Sequence, residues 1–143
     1  MQHERYVGYE IKALSNLLRR RLWGPADHPQ SMLTEIEGVL IGYLCHSQGR
    51  EIYQKDLERA LCIRSSTASR LLKRLEDEGL VQRSMGVRDA RMKRTTPTLR
   101  AQALNQEAER RIAATEATLT RGISQEEIDQ FLAIAEKLKQ NLI

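Results

Sequence analysis

The sequence predicts a mainly α-helical fold with one small β-hairpin, and three observations lead to this prediction. Apolar residues recur at intervals of three and four in five stretches, the spacing of one buried helix face, and a sixth stretch is rich in alanine. Two short segments, 80–83 and 93–96, are typical of strands and enclose a polar stretch with a glycine. The length of 143 residues, 41% of them hydrophobic, suits a single folding unit.

The first two helices are predicted from apolar spacing and from their end signals. Over residues 6–23 the apolar stripe consists of Val7, Ile11, Leu14, Leu18 and Leu22. Gly24 and Pro25 end this helix. After a loop, Thr34 and Glu37 have the spacing of a capping box, so a second helix begins there and ends near Gly49. Its buried face is predicted to hold Ile36, Val39, Leu40, Tyr43 and Leu44.

Two short helices separated by three residues come next. The first spans Gln54–Leu61, and its inward residues are Leu57, Ala60 and Leu61. The second spans Ser65–Glu78 and ends at Gly79, and its inward residues are Ala68, Leu71, Leu72 and Leu75. The link Cys62-Ile63-Arg64 has the length of the tight turn in a helix-turn-helix.

The hairpin and two further helices complete the chain. The two strands are joined by a polar tip, 84–92, that contains Gly86. Thr98 is the predicted N-cap of a long helix from Leu99 to about Thr120, which Gly122 ends. Ser124 and Glu127 form a second capping box. The last helix is predicted to bury Ile128, Phe131, Leu132, Ala135, Leu138 and Leu142.

Basic charge is concentrated in one part of the chain. The formal net charge is +4 and the sequence pI is about 9.3. Residues 64–94 contain nine Lys and Arg against four Asp and Glu, a net charge of +5, so the remaining residues sum to −1. A charge run alone is usually a solvated surface. A basic segment on an otherwise near-neutral chain nevertheless favours a partner with a phosphate backbone.

The outward face of the second short helix has the residue types of a helix that reads DNA. Small hydroxyl residues allow close approach of the backbone and bond phosphates or base edges. Arg70 has the reach for guanine O6 and N7, whereas Lys73 and Arg74 suit phosphates. The contacts predicted from this face are Ser65, Ser66, Thr67, Ser69, Arg70, Lys73 and Arg74. A surface helix of an enzyme also carries such residues, so the helix alone leaves both interpretations open.

The hairpin adds the second half of the pattern. A basic tip that projects from the core suits the minor groove or flanking phosphates. Its predicted DNA contacts are Arg88, Arg91, Lys93 and Arg94. Helix and tip together predict a winged helix-turn-helix that binds double-stranded DNA.

The chain ends carry more apolar helix surface than this small unit can cover. Packing within one subunit is one explanation, and exchange of helices across a two-fold interface is the favoured one. A homodimer also matches a palindromic operator whose half-sites lie roughly 34–36 Å apart. The predicted dimerisation residues are Val7, Ile11, Leu14, Leu18, Ile128, Phe131, Leu132, Leu138 and Leu142.

Several function classes find no support in the sequence. It has no Gly-rich phosphate loop, metal-ligand cluster or nucleophile motif, so neither an enzyme nor a metal or other cofactor is expected. Cys45 and Cys62 are interpreted as packing residues, with a redox-sensing thiol as the alternative. The sequence shows neither a signal-peptide core nor an apolar stretch approaching ~20 residues, so no membrane association and a cytoplasmic location are expected.

Nearly the whole chain resembles the MarR family of bacterial regulators. The matching stretches are Gln54–Leu57, Ser66–Glu76, Gly79–Val81 and Asp89–Lys93. The most specific is the Asp-x-Arg motif of the wing, here Asp89 and Arg91. The resemblance implies that Arg91 enters the minor groove while Asp89 helps to hold the wing. It also implies an obligate homodimer with helices from both chain ends and, in many members, a small phenolic or lipophilic effector bound between the two parts.

Several positions depart from the family pattern. Tyr53 and Arg64 stand where the family usually has a capping Thr and a capping Ser. Capping by Ser65, or an additional phosphate contact from Arg64, would compensate. The family's Leu-Thr-x-x-Gly reads Pro97–Ala101 here: the capping Thr98 is kept, but Pro97 replaces the Leu and Ala101 the Gly. A different turn of the backbone at this point is therefore left open. The first helix lacks the cysteine of the family's peroxide sensors, which argues against that mechanism.

The leading hypothesis is therefore a sequence-specific DNA-binding regulator, a repressor or less often an activator, which a small effector releases from its operator. Residues 33–98 form the winged helix-turn-helix, and 1–32 and 99–143 supply the dimerisation helices of the same unit. The alternatives are a winged-helix module that docks an acidic protein and a DNA-binding protein without sequence preference.

Overall fold

A computed structural model describes residues 5–23, 33–86 and 91–143 of the chain. Within these ranges the elements, in chain order, are α1 (Val7–Trp23), α2 (Glu35–His46), α3 (Gln54–Leu61), α4 (Ser65–Asp77), β1 (Val81–Met85), β2 (Lys93–Pro97), α5 (Leu99–Leu119) and α6 (Gln125–Leu142). This order confirms the predicted fold class, with the helix-turn-helix formed by α3 and α4 and the wing by the two strands.

Side chains cap three of the helices, as their sequence signals predict. The Thr98 hydroxyl accepts from the Ala101 N–H at 3.2 Å, so α5 begins with the expected cap although Ala101 replaces glycine. At α6 both halves of the Ser124–Glu127 capping box form. At α2 the Thr34 hydroxyl accepts from the Glu37 N–H, but the Glu37 carboxylate has other partners. The prediction that α2 extends to near Gly49 is wrong, because the helix ends at His46 and Ser47 closes its last turn.

The wing contains more pairing than the sequence predicts. β1 and β2 pair antiparallel from Val81–Pro97 to Met85–Lys93, so β1 extends two residues beyond the predicted end at Arg83. On its other edge, β2 receives a third short segment: the Thr95 N–H donates to the Ile52 carbonyl at 2.7 Å, and Tyr53 forms a bridge with Arg94. The segment before α3 therefore ties the helix-turn-helix to the wing.

The core lies between α2, the helix-turn-helix and the base of the wing. All four residues predicted to face inward from α4 are buried, as are Leu40, Leu44 and Leu57. Two predicted core residues are exposed. Ala60 is exposed because α3 packs on α4 and β2 mainly through Leu57, and Val39 is 45% exposed while Ile41 occupies the core instead.

The terminal helices leave their apolar stripes largely uncovered within one chain. Neither α1 nor α6 contains a buried residue. α1 packs against α5, whereas α6 makes at most marginal contact with the other described helices and strands. The prediction that α6 buries its stripe therefore fails for the single chain, where Phe131 is 61% exposed and Leu132 58%. Among the described residues, no helix has both the length and the apolarity needed to cross a membrane.

Candidate nucleic-acid interface

Helix α4 presents a polar face to solvent because its apolar face is fully used in the core. Residues Ala68, Leu71, Leu72 and Leu75 are buried, which turns the opposite side of the helix outward. Ser65, Ser66, Ser69, Arg70 and Lys73 are exposed, and Thr67 is half-buried. The predicted outward face of this helix is confirmed. It combines short hydroxyl side chains at its start with two long cations further along.

The first turn of α4 begins without a side-chain cap. Arg64 occupies the N-cap position in an extended conformation, and its guanidinium, which only donates hydrogen bonds, cannot cap the N–H groups of the helix. Ser65 is the first helical residue rather than the cap, so the compensating cap considered for Ser65 does not form. The Gln54 side chain donates to the Ser65 carbonyl at 3.2 Å and fixes α3 against this end. A helix N-terminus with free N–H groups and positive dipole favours an anion such as a phosphate.

Arg74 differs from the other cations of α4 because it is engaged within the protein. Its Nη1 lies 3.0 Å from Oε1 of Glu37, a carboxylate that is 1% exposed at the start of α2. Its Nε lies 3.7 Å from Glu78 one turn further along α4. The same Glu37 oxygen accepts from the Thr34 hydroxyl at 2.9 Å. Arg74 therefore anchors the C-terminal half of α4 to α2.

A basic groove of about 380 Å³ separates the start of α4 from the wing. Lys55, Arg83, Arg91 and Lys93 contribute cationic side chains to it, and Glu58 is the single acid among its lining residues. The Arg83 guanidinium donates to the Gln54 side chain at 3.2 Å, which links the wing to α3. The groove thus joins the two parts of the predicted interface into one concave, positively charged surface.

Six groove residues escaped the sequence prediction: Tyr53, Gln54, Lys55, Glu58, Arg83 and Met92. Arg83 lies inside the basic segment, so its charge was a usable signal. The position of Arg83 in the groove was not predictable, because the direction of its side chain depends on the register of the hairpin, in which Arg83 pairs with Thr95. The helical pattern places Gln54 and Lys55 at the start of α3 but does not indicate that this end faces the wing.

The predicted wing residues divide into three groups. Arg91 and Lys93 are exposed and line the basic groove. Arg94 is half-buried and lines a different cavity, between β2 and the turn after α2. Arg88 and Asp89 lie outside the described residues.

The two cysteines have different surroundings. Cys45 is partly covered, and burial, followed by the nearby charge of Glu109, raises the pKa of its thiol. Cys62 is exposed in the turn between α3 and α4, so its interpretation as a packing residue is wrong. It has a positive φ of 52°, a conformation that glycine adopts more readily at a helix C-terminus. The described residues include no cluster of three or more His, Cys, Asp or Glu side chains that could hold a metal ion.

Comparison with known proteins gives a consistent result. Residues 43–93 match the model of the MarR family. The transcription regulator MarR from Oenococcus oeni PSU-1 is 27% identical in sequence, with 94% of this chain and 99% of that one covered at a TM-score of 0.84. S. aureus MepR in its DNA complex is 25% identical, with 99% and 100% covered at a TM-score of 0.85. S. aureus MepR bound to ethidium bromide is 26% identical, with 98% of this chain and 99% of that one covered, but its TM-score is 0.58.

Proposed function

Because this chain belongs to the MarR family of transcription regulators, we propose that it binds a palindromic operator as a homodimer and represses transcription there. The observation that carries the proposal is the row of exposed hydroxyl and cationic side chains on α4, contiguous with the basic groove under the wing. In this arrangement α4 enters the major groove, and the wing reaches the adjacent minor groove.

We assign the contacts by reach and by existing partners. Arg70 reads a guanine, and Ser65, Ser66, Thr67 and Ser69 approach base edges or phosphates at the groove floor. Arg64, Lys73 and Lys55 contact phosphates. Arg91 enters the minor groove, with Lys93 on a flanking phosphate. That Arg88 contacts DNA and that Asp89 helps to hold the wing remain predictions from the sequence. Arg74 and Arg94 contribute charge at the margin, since the Arg74 guanidinium is paired with Glu37 and Arg94 lines a cavity away from the basic groove.

The homodimer is supported by the uncovered stripes of the terminal helices. Val7, Ile11 and Leu14 of α1 are 59%, 52% and 43% exposed, and Phe131, Leu132 and Leu142 of α6 are 61%, 58% and 87% exposed. Leu18, Ile128 and Leu138 are half-buried at the borders of the same stripes. Apolar surface of this extent marks an interface on a water-exposed protein. In a dimer formed through α1 and α6, the two copies of α4 would lie about one helical turn of DNA apart.

Release by a small effector is the finer part of the proposal. The chain matches the DNA complex of MepR with a TM-score of 0.85 and the ethidium-bound MepR with 0.58. This difference supports the view that the described arrangement is the DNA-binding one. A phenolic or lipophilic molecule that binds a different arrangement of the dimer more tightly would shift the population to that arrangement and so weaken operator binding.

Selection of duplexes from a random DNA pool by the purified protein tests the proposal. We expect enrichment of a palindrome whose half-sites are about one helical turn apart. With six to ten phosphate contacts, affinity for the enriched duplex should fall about 10³–10⁵-fold between 50 and 200 mM salt. Binding without enrichment would indicate a DNA-binding protein without sequence preference. No DNA binding, with capture of acidic proteins, would favour a docking module.

A further inference from the structure

A second basic site lies on the other side of the wing from the DNA-facing groove. An open cavity of about 240 Å³ lies between the turn after α2, the strand β2 and the first turn of α5. Its polar lining comes from Ser47, Gln48, Arg50, Arg94, Thr95, Thr96 and Gln102. The cavity belongs to neither the basic groove nor the apolar stripes of α1 and α6. Apart from Arg94, which contributes charge at the margin of the DNA interface, its lining residues take no part in the surfaces assigned above.

The charges around this cavity are of one sign. Arg50 and Arg94 are both among its lining residues, and none of the lining residues is acidic. The Arg50 guanidinium donates to the Ser47 hydroxyl at 3.2 Å, and Ser47 is 5% exposed, so the guanidinium is held against the cavity wall. Glu51, the acid nearest in sequence, accepts instead from the Tyr53 hydroxyl at 2.7 Å. The C-terminus of α2 and the N-terminus of α5 both meet here, so their opposed dipoles offset each other and leave the two arginines dominant.

Two polar atoms of the lining residues are buried without a hydrogen-bond partner. They are Nε of Arg94 and Oγ1 of Thr95, and the Thr95 residue is 2% exposed. A buried polar group without a hydrogen-bond partner destabilises the folded state, and the penalty is larger for the charged guanidinium of Arg94 than for the hydroxyl of Thr95. Two guanidinium groups with hydroxyl and amide groups around them form the donor set that oxyanions prefer.

We propose that this cavity binds a small oxyanion, the phosphate or carboxylate group of a small molecule, between Arg50 and Arg94. The volume is below the range of about 300–1,000 Å³ typical of sites for drug-sized ligands, so the ligand is small. Arg94 lies on the strand that leads back from the wing tip, and Gln102 lies on α5. A bound oxyanion would therefore join the wing to the start of the long terminal helix.

Titration of the full-length protein with inorganic phosphate or with succinate, at constant ionic strength in sodium chloride, tests the proposal without DNA. We expect saturable binding by calorimetry and a rise in Tm with at least one of the two anions. Succinate alone would identify a carboxylate site and phosphate alone a phosphate site. Arg94→Gln or Arg50→Gln should weaken binding by about tenfold or more, the loss of one hydrogen bond to a charged group.

Three further variants separate the site from general effects of charge and folding. Thr95→Val removes a hydroxyl that has no internal partner, so it should leave folding intact and weaken the anion about threefold or more. Arg121→Gln removes the same charge from an exposed position after α5 and should leave binding unchanged. Arg70→Ala should also leave it unchanged, because Arg70 lies on the DNA-facing side.

The proposal would be overturned by three results. They are no saturable binding of either anion, equal binding by the Arg94, Arg50 and Arg121 variants, or loss of binding in Arg70→Ala. The last result would place the anion at the DNA interface. None of these outcomes bears on operator binding, so this proposal and the proposed function fail separately.

Discussion

Arg70 and Arg74 lie one turn apart on α4, yet their surroundings differ: Arg70 is available for DNA, whereas Arg74 is paired within the protein. The Arg70 side chain is exposed beside the small hydroxyl residues of the helix, with its length available for a base edge. Arg74 is 50% exposed in its side chain and paired with the buried carboxylate of Glu37. Residue type and helical position predicted a DNA contact for both. The partner of Arg74 lies 37 residues earlier in the chain, and no local pattern indicates it.

Replacement of Arg70 should affect the choice of sequence. We expect Arg70→Ala to weaken operator binding by about 1–3 kcal/mol and to relax the preference at one base pair in each half-site. Lys73→Ala is the matched control: it should weaken all duplexes about equally and reduce the salt slope by about 1. Repeating the selection with both variants measures this. Equal weakening of every duplex by Arg70→Ala would make Arg70 a phosphate contact.

Replacement of Arg74 should affect the stability of the fold. Arg74→Ala leaves Glu37 as a buried charge whose only remaining bonding is to Thr34. Loss of one partner from a fully buried pair costs about 3–5 kcal/mol, and half-exposure of Arg74 reduces the expected loss to about 1–3 kcal/mol. Glu37→Gln in the same background removes the charge and should recover part of that loss. Urea denaturation of the single and double variants gives the coupling, and strictly additive effects would contradict the ion pair.

At the scale of whole elements, hydrophobic spacing predicted five of the helices of the described chain, and alanine content with the Thr98 cap predicted α5. Caps fixed the starts of α2, α5 and α6 because Ser and Thr act locally on the first turn. The third segment of the wing sheet was missed, since Ile52 and Tyr53 form too short a segment to show alternation. The end of α2 was placed too late because Gly49 is a strong stop signal, but Ser47 already closes the helix. Locally coded features were predictable, whereas pairings across the sequence were not.

The contact between α1 and α2 rests on a glycine. A Cβ atom built on Gly38 would overlap the indole ring of Trp23, so the end of α1 lies directly on the backbone of α2. Gly38→Ala should destabilise the protein by about 1–3 kcal/mol through overpacking. Gly42→Ala, one turn later, places its Cβ 3.5 Å from Oδ1 of Asn105, an ordinary contact. That variant should instead stabilise by about 0.5–1 kcal/mol through helix propensity.

Thermal unfolding of the two alanine variants provides the comparison, with opposite shifts in Tm as the expected result. Trp23→Ala combined with Gly38→Ala removes the overlapping ring. The double variant should lose less than the sum of the two single changes. Equal shifts for Gly38→Ala and Gly42→Ala would mean that Trp23 does not constrain this position.

The single chain is incomplete at the scale of the whole molecule. Its core unites α2, the helix-turn-helix and the base of the wing, while α1 and α6 present their apolar stripes to solvent. Sequence reasoning identified these stripes but could not say whether they meet within one chain. The isolated fold shows that they do not become buried there, which leaves a second copy as the proposed cover.

Charges placed on the α6 stripe should therefore separate the dimer. Full burial of a large apolar side chain contributes about 1.5–3 kcal/mol, so Phe131→Glu with Leu132→Glu should weaken dimerisation by about 10²–10⁴-fold. Gln130→Glu is the matched control, because position 130 lies on the opposite side of α6 from the stripe. Sedimentation velocity across a range of concentrations measures the assembly, and circular dichroism checks that each variant keeps its helices.

The same pair of variants tests how assembly and DNA binding are connected. If two copies of α4 must contact both half-sites together, the Phe131 and Leu132 double variant should lose affinity for the full operator and retain only weak binding to a half-site. The Gln130 variant should bind both duplexes as the original protein does. A folded, monomeric double variant that bound the full operator with unchanged affinity would show that each chain reads DNA alone. The exposed stripes of α1 and α6 would then need a different partner.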